Sequence, residues 1–355
     1  MYLVIMAGGV GKRFWPRSRK HNPKQFLNIV SDDSMLKLTF DRLKKISPTD
    51  KIYVVAGEHL REKIHKELKE LPEDNYISEP SGKSTAPCIG LAANLIHKRD
   101  PDAVIGIFPA DHLIRDLARF EECVEKGRQA ALNNNAMVTF GIRPTRPATG
   151  YGYIQYNQSD KIEEGVYKVK TFAEKPDINT AQKFLEHGNF LWNSGMFIWQ
   201  AETILKEIDQ HLPDLGHSLK KLYPEIGKPD YQEKLEEEWG TIRKESIDYG
   251  VMEKAKKVYV VKSNFTWNDV GSWDAVYELE EKDENKNVLK GENVKAVDTE
   301  SCYIYSDGQL ISTIGVKDLV IVQEENATII AKRGETEKVK KLVNRLRCEN
   351  RDEYL

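Results

Sequence analysis

"YLVIMAGGVGKRFWPRSRKHNPKQFL", Tyr2 to Leu27, is the stretch on which the fold turns. Its opening, Tyr2 to Gly8, is a short apolar run ending in glycine. A buried parallel strand has this form where it leaves a sheet at its C-terminal end. The remainder is a basic loop. From Met6 to Leu27 there are three glycines and six Lys or Arg side chains, and no Asp or Glu occurs between Met1 and Ser31. The whole chain of 355 residues is balanced, at formal net charge −3, so the positive charge is local. A small polyanion suits such a charge better than nucleic acid, which needs basic residues spread over a face. A solvated surface is the alternative for any basic run.

Outward from this segment, strands and helical segments alternate. "SMLKLTFDRLKKI" has apolar residues at helical spacing, "KIYVVAG" reads as a strand and "EHLREKIHKELKEL" as a helix. "APCIGLAANLIHKR" predicts a helix, "DAVIGIFPAD" a strand, "FEECVEKGRQAAL" a helix and "AMVTFGI" a strand. This order implies βαβ units and a mostly parallel sheet covered on both faces. Ligands of such sheets bind beyond the strand C-termini, where the opening glycine loop and "FPADH" both fall. Beyond Gly141 the order is less regular, with strands in "GYGYIQY" and "VYKVKTFAEKP" and an aromatic-rich "FLWNSGMFIWQ". The charged run Glu280 to Asn287 predicts a linker, dividing the chain into residues 1–287 and a β-rich tail with a terminal helix, 288–355.

The composition, 40% hydrophobic and 31% charged, is that of a folded globular protein. Its four cysteines form no CxxC pair, which suits a reducing compartment and argues against a disulfide framework or structural zinc. No apolar run reaches the ~18 residues of a membrane span. The expectation is a cytoplasmic protein with neither membrane nor nucleic acid as partner.

The loop fits neither common phosphate-binding motif. A GxxxxGK[ST] loop would need glycine where Met6 stands and Ser or Thr where Arg13 stands. A GxGxxG fingerprint starting at Gly9 and Gly11 meets Phe14 at its third glycine. What remains is a turn of Gly8, Gly9 and Gly11 whose backbone N–H groups can approach an anion, with Arg13 and Lys24 supplying charge. A triphosphate fits that description. Asp111 follows an apolar strand that would carry its carboxylate to the same edge, where it can hold Mg²⁺ or cap the next turn. No Ser/His/Asp or Cys/His nucleophile motif is recognisable.

These residues carry a resemblance. "AGGVGKRFWPRSR" followed by "PKQFL" resembles the signature of sugar-nucleotide pyrophosphorylases, and more narrowly of the mannose-1-phosphate guanylyltransferases. "EPSGKSTAP", "FPADHLI", "TRPATGYGYI", "FAEKPD", "FLWNSGMFIW", "SIDYGVMEK" and "WNDVGSW" follow in the family's order. The resemblance implies a Rossmann-like α/β nucleotidyltransferase domain (1–287), a mixed, mostly parallel sheet flanked by helices. It also implies a short left-handed β-helix-like tail with a terminal helix (288–355), to which the hypothesis of a homodimer attaches. The tail is too short for the isomerase domain found in some members, so a single activity is expected.

The implied reaction joins GTP and mannose 1-phosphate into GDP-mannose and pyrophosphate by in-line attack, without a covalent intermediate. Arg13 and Lys24 would bind the triphosphate and serve catalysis with Asp111; Asp111 and Asp269 would hold Mg²⁺. Lys175 would take the sugar phosphate, Glu174 the mannose hydroxyls, and Asn193 and the backbone at Gly150 further sugar contacts. Ser84 and Thr85 would lie against guanine. The family commonly has asparagine at Ser84, glutamate at Ala148, serine at Asn268 and alanine at Gly250. Two other readings stay open at this point: a silent subunit that senses GDP-mannose, and a nucleotidyltransferase of different specificity.

Overall fold

The computed structural model describes all 355 residues, Met1 to Leu355. Two compact units are present. One comprises Met1–Gly8, Phe40–Ala110 and Ile114–Trp267; the other comprises Gly9–Thr39, Asp111–Leu113 and Asn268–Leu355. No helix is long and apolar enough to cross a membrane.

The strands before residue 270 are β1 (Tyr2–Met6), β2 (Ile52–Gly57), β3 (Tyr76–Glu79), β4 (Val104–Pro109), the short β5 (Leu113–Ile114) and β6 (Met137–Ile142). They continue with β7 (Tyr153–Glu163), β8 (Val166–Ala173), β9 (Phe190–Gln200), β10 (Val258–Lys262) and the short β11 (Trp267–Asn268). Nine of them form the sheet of the first unit, in the order β3-β2-β1-β4-β9-β6-β10-β8-β7. β8 and β9 run against the other seven.

The apolar run at the N-terminus is continuous because both faces of the sheet are covered: Leu3, Val4 and Ile5 have no exposed surface. Val4 joins Ile105 and Ile107 in the cluster built on the helix Thr85–Arg99. Phe108 meets Phe120 of the helix Leu117–Asn134 edge-on, with ring centroids 5.9 Å apart. β1 pairs in parallel with β2 on one side and β4 on the other, so the strand order reverses between β1 and β4. Met6 pairs with Pro109, and Ala110 N–H donates to the Met6 carbonyl at 3.1 Å. The chain therefore leaves two adjacent strand ends as the glycine loop and as the segment carrying Asp111. This is where open α/β sheets place their ligands.

One helix is shorter than its sequence pattern. The α-helix in "EHLREKIHKELKEL" covers only Arg61–Glu67, after a 3₁₀ turn at Glu58–Leu60. Pro72 disfavours helical backbone at Leu71, and Leu68 and Leu71 turn inward instead, 2% and 4% exposed.

In the second unit, β12 (Val288–Lys290), β14 (Tyr303–Ser306) and β16 (Leu319–Glu324) stack in parallel, as do β13 (Val294–Val297) and β15 (Ile311–Ile314). Successive coils thus repeat two strands each, as in a β-helix. β17 (Ala327–Lys332) turns back antiparallel on β16, and the helix Val339–Cys348 follows. Asn287 sits inside the first coil, donating to the Thr299 carbonyl at 2.8 Å and accepting from Cys302 N–H at 3.0 Å. The basic loop belongs to this unit. Phe14, Trp15, Leu27 and Met35 share a core with Trp273, Tyr303 and Val320.

That packing accounts for part of the loop's charge. Arg17 Nε meets Glu324 at 3.0 Å and its Nη2 donates to Asn28 Oδ1 at 2.6 Å. Arg19 meets Glu325 at 3.1 Å and donates to Asn326 Oδ1 at 2.8 Å. Lys20 meets Asp352 at 2.9 Å. Arg17 and Arg19 are only 6% and 4% exposed, so they are neither solvated nor turned to a ligand. A buried guanidinium must be paired, and the tail supplies the partners.

Candidate active site

The residues flanking the glycine turn build a cavity of about 300 Å³. Gly11, Arg13, Lys24, Asp111 and Asp269 line it, joined by Lys12, Phe14, His112, Gly271 and Lys340. Gly11 adopts φ +69°, the left-handed region that glycine enters without strain, and a Cβ there would collide with the Lys24 side chain. The 3₁₀ turn Lys12–Phe14 follows, closed by Phe14 N–H on the Gly11 carbonyl at 2.9 Å. Lys24 opens a second 3₁₀ turn, Lys24–Phe26, entered through Pro23.

Lys24 is the centre of the arrangement. Its side chain is 6% exposed and its Nζ lies 2.7 Å from Asp111 Oδ2 and 2.7 Å from the Asp269 carbonyl. Burial pushes the Asp111 carboxyl up, but the Lys24 charge, His112 and the Lys24 hydrogen bond outweigh it and hold the group below its ordinary value. Asp111 is thus an anion at neutral pH. Asn268 shapes the turn at the second carboxylate by accepting from Val270 N–H at 2.7 Å. Arg13 is exposed and makes no hydrogen bond or ion pair, so its guanidinium is free for an incoming anion. No cluster of three or more His, Cys, Asp or Glu side chains could hold a metal. Two carboxylates on a cavity of this size instead suit a hard divalent cation that shares its coordination with phosphate oxygens.

A second polar cluster lies in the first unit, at the end of β8 and in the middle of β9. Lys175 Nζ pairs closely with Glu174 Oε1, and Lys175 holds φ +49°, uncommon for a residue with a Cβ. The Glu174 side chain is 7% exposed and its Oε2 has no partner; a Cβ at Gly152 would collide with that oxygen. Asn193 receives Thr139 Oγ1–H on its Oδ1 at 3.1 Å and donates from Nδ2 to Asp248 Oδ1 at 2.8 Å. The register shift between Thr139 and Gly141, where β6 pairs β9, lets Asn193 and Thr139 meet. Asp248 opens a π-helical turn, Asp248–Met252, a form that often marks functional sites. Burial first, then the Glu174 charge, push its carboxyl up to about 6, against the Asn193 hydrogen bond and Lys175. Polar groups that can read hydroxyls thus surround one exposed cation.

The nucleotidyl transferase family model matches residues 2–286, and the model of a MannoseP isomerase/GMP-like beta-helix domain matches residues 291–346. The mannose-1-phosphate guanylyltransferase RfbM of Salmonella typhimurium is 39% identical over 99% of this chain and 73% of its own length. That of Escherichia coli K12 is 36% identical over 100% of this chain and 75% of its own. The chain belongs to the mannose-1-phosphate guanylyltransferase family. Among solved structures, the crystal structure described as a mannose-1-phosphate geranyltransferase from Thermus thermophilus superposes with a TM-score of 0.87 at 31% identity, covering 98% of this chain and 99% of that one.

Within this guanylyltransferase fold the structure brings Gly11, Arg13, Lys24, Asp111 and Asp269 to one cavity, and Glu174, Lys175 and Asn193 to one cluster. Other expected residues are less engaged. Gly9 and Gly150 are exposed, and a Cβ on either would meet nothing within 4 Å. A Cβ on Gly8 would come within 3.1 Å of Glu79 Oε2. Ser84 stands at φ +72° before the helix Thr85–Arg99, and Thr85 Oγ1 accepts from Ile247 N–H at 2.8 Å. Three residues enter that sequence reasoning left without a role: Asp248, Thr139 and Lys340. Asp248 had a signal in "SIDYGVMEK"; Lys340 had none, being one lysine among many in the terminal helix.

Proposed function

We propose that this chain transfers GMP from GTP to α-D-mannose 1-phosphate, giving GDP-mannose and pyrophosphate. The observation that carries the reading is Lys24, bridging Asp111 and the Asp269 carbonyl beside the unpaired Arg13 on the glycine turn. A phosphate oxygen of the sugar attacks the α-phosphorus of GTP. The new P–O bond forms as the bond to the bridging β-phosphate oxygen breaks, and pyrophosphate leaves with the electron pair. No side chain becomes bonded to phosphorus. Both reactants are anions, so the work of the chain is to neutralise and align them.

Arg13 and Lys24 serve the triphosphate, with charge placed where the leaving group becomes more negative. Asp111 and Asp269 are the residues that would hold Mg²⁺, as their hard oxygen donors and the ionised state of Asp111 fit. When bound, Mg²⁺ would supply charge neutralisation at phosphate oxygens. In the other cluster Lys175 serves the sugar phosphate, while Glu174 and Asn193 serve mannose hydroxyls. The unpartnered Glu174 Oε2 is an acceptor ready for one of them.

The test is pyrophosphate release measured with each of four nucleoside triphosphates against a panel of sugar 1-phosphates. Turnover confined to GTP with mannose 1-phosphate is the expected result. Tight GDP-mannose binding with no turnover on any pair would replace the proposal by a sensing role.

A further inference from the structure

One wall of the cavity comes from the C-terminal helix, outside every motif that the sequence offers. The helix Val339–Cys348 packs on the turn Lys12–Phe14, where Lys12 Nζ donates to Asn344 Oδ1 at 3.2 Å. Val339 and Val343 face inward, 3% and 4% exposed, in the core that holds Phe14 and Trp273. With those two residues fixing the helix's rotation, Lys340 lines the cavity together with Arg13. Lys340 makes no hydrogen bond and no ion pair, as is true of Arg13.

This combination is informative because the cavity carries more cations than carboxylates, Lys12, Arg13, Lys24 and Lys340 against Asp111 and Asp269. Asp111 is matched by Lys24, and the other lysine of the turn, Lys12, is engaged with Asn344. Of the cationic side chains on the cavity, Arg13 and Lys340 alone lack partners, and they lie on one cavity with no carboxylate assigned to either. Cations in excess of the carboxylates around them raise the free energy of the empty site and favour an anion that removes the repulsion. The cavity would take a diphosphate group. Such a group carries more charge than one internal phosphate of a nucleotide, and two unpaired cations match it better than one.

We propose that Lys340 is a substrate-binding residue contributed by the C-terminal helix, which grips the terminal phosphates of the nucleotide, the part that departs as pyrophosphate. The inference rests on the guanylyltransferase reading for its choice of substrate, but its core, a diphosphate site completed by Lys340, can be tested without turnover. It also gives the β-helix tail a direct part in the chemistry rather than a purely structural one. Arg13 acts as a planar fork and Lys340 as a mobile point charge that can follow the group as it leaves.

The experiment uses the full chain and its variants Lys340→Ala and Lys340→Arg, with Lys341→Ala as a control on the same helix. Lys340 is exposed, so these changes do not endanger folding. Loss of one charge-assisted contact should weaken the KM for GTP, and for pyrophosphate in the reverse direction, by about tenfold or more. The KM for mannose 1-phosphate should stay put, and Lys340→Arg and Lys341→Ala should keep nearly full affinity. Calorimetric titration with inorganic pyrophosphate should show the same order without any sugar present. If the wild-type chain turns over but Lys340→Ala binds pyrophosphate as tightly as wild type, the inference falls alone. If the wild-type chain shows no turnover yet binds pyrophosphate in a Lys340-dependent way, the activity reading falls and the diphosphate site stands.

Discussion

Arg17 and Glu324 meet at 3.0 Å although the chain separates them by 307 residues. Tyr305 lies under the guanidinium, whose carbon is 4.1 Å from the ring centroid, and Asn28 takes a further hydrogen bond. The loop that carries Arg13 and Lys24 is thereby fastened to the last strands of the β-helix. Since the Arg17 side chain is 6% exposed and that of Glu324 15%, losing one partner leaves a charge with little access to water. Glu324→Ala should destabilise the protein by roughly 3 kcal/mol, the lower range for breaking a buried pair. Urea denaturation would read this, and a penalty within experimental error of zero would contradict it. A Glu324→Ala/Arg17→Met double variant should recover part of the loss, because no unpaired charge is then buried.

Gly11→Ala tests the turn itself. Alanine would have to take φ +69° and move the Lys24 side chain out of its position. The backbone strain alone is worth about 1–3 kcal/mol. The expected outcome is a lower melting temperature together with a loss of turnover larger than stability explains, because Lys24 moves. Gly9→Ala, where a Cβ meets nothing, should change stability little and serves as the comparison.

Lys24→Met separates charge from packing. The variant keeps an unbranched side chain but leaves Asp111 without its counter-ion and the Asp269 carbonyl without its donor. Turnover should fall by ~10²–10³, as for removal of one preorganised electrostatic contact. Because Lys24 is what holds the Asp111 carboxyl low, that pKa should rise in the variant, and NMR titration of the carboxyl carbon would follow it. Asp111→Asn should likewise abolish most Mg²⁺-dependent turnover, with a lower melting temperature because the buried Lys24 loses its counter-ion. Near-normal rates would remove Asp111 from the metal site.

Much of this was legible in the sequence, for reasons that differ between elements. β1 and β4 are visible as apolar runs because both faces of the sheet are covered, and glycine or Pro-Ala-Asp at their ends marks where the loops begin. Local pattern alone therefore shows that the glycine loop and Asp111 each follow directly on one of two adjacent strands. Asp269 came only through the family resemblance, since nothing local says that a turn far along the chain returns to Lys24. Arg17 and Arg19 read as solvated or ligand-facing because their partners, Glu324, Glu325 and Asn326, belong to the other end of the chain. Lys340 was illegible for the same reason. Its neighbours are set by the rotation of an amphipathic helix, and no spacing rule connects it with Gly11.

Lys175 should matter mainly for the sugar phosphate. Burial lowers its pKa, but the Glu174 hydrogen bond and charge prevail and raise it, so the ammonium is fully charged at neutral pH. Its side chain is about half exposed and can reach an arriving anion. Lys175→Ala is expected to raise the KM for mannose 1-phosphate about tenfold, with the KM for GTP unchanged. Glu174→Gln distinguishes this from an indirect effect of orphaning Glu174. It removes the buried carboxylate's charge but leaves Lys175, so phosphate affinity should hold while discrimination among sugars weakens. Equal loss in both variants would count against separate roles.

Asp248 gives the cluster a pH signature. Its carboxyl, ordinarily at 3.8, is pushed up to about 6 by burial and by Glu174. A group that titrates higher when folded holds its proton preferentially in the native state. The folded chain therefore loses stability as pH rises from 3.8 to about 6, and loses no more above that range. Asp248→Asn lacks the charge but keeps an oxygen that can accept from Asn193 Nδ2. The unfolding free energy of the variant minus that of wild type should accordingly climb through this window and then level off. Differences are the right quantity, because carboxylates held low, Asp111 among them, slope the other way in both proteins. A flat difference across the window would mean that Asp248 titrates like a solvated aspartate, and that the Asn193–Asp248–Glu174 cluster is more open than its geometry indicates.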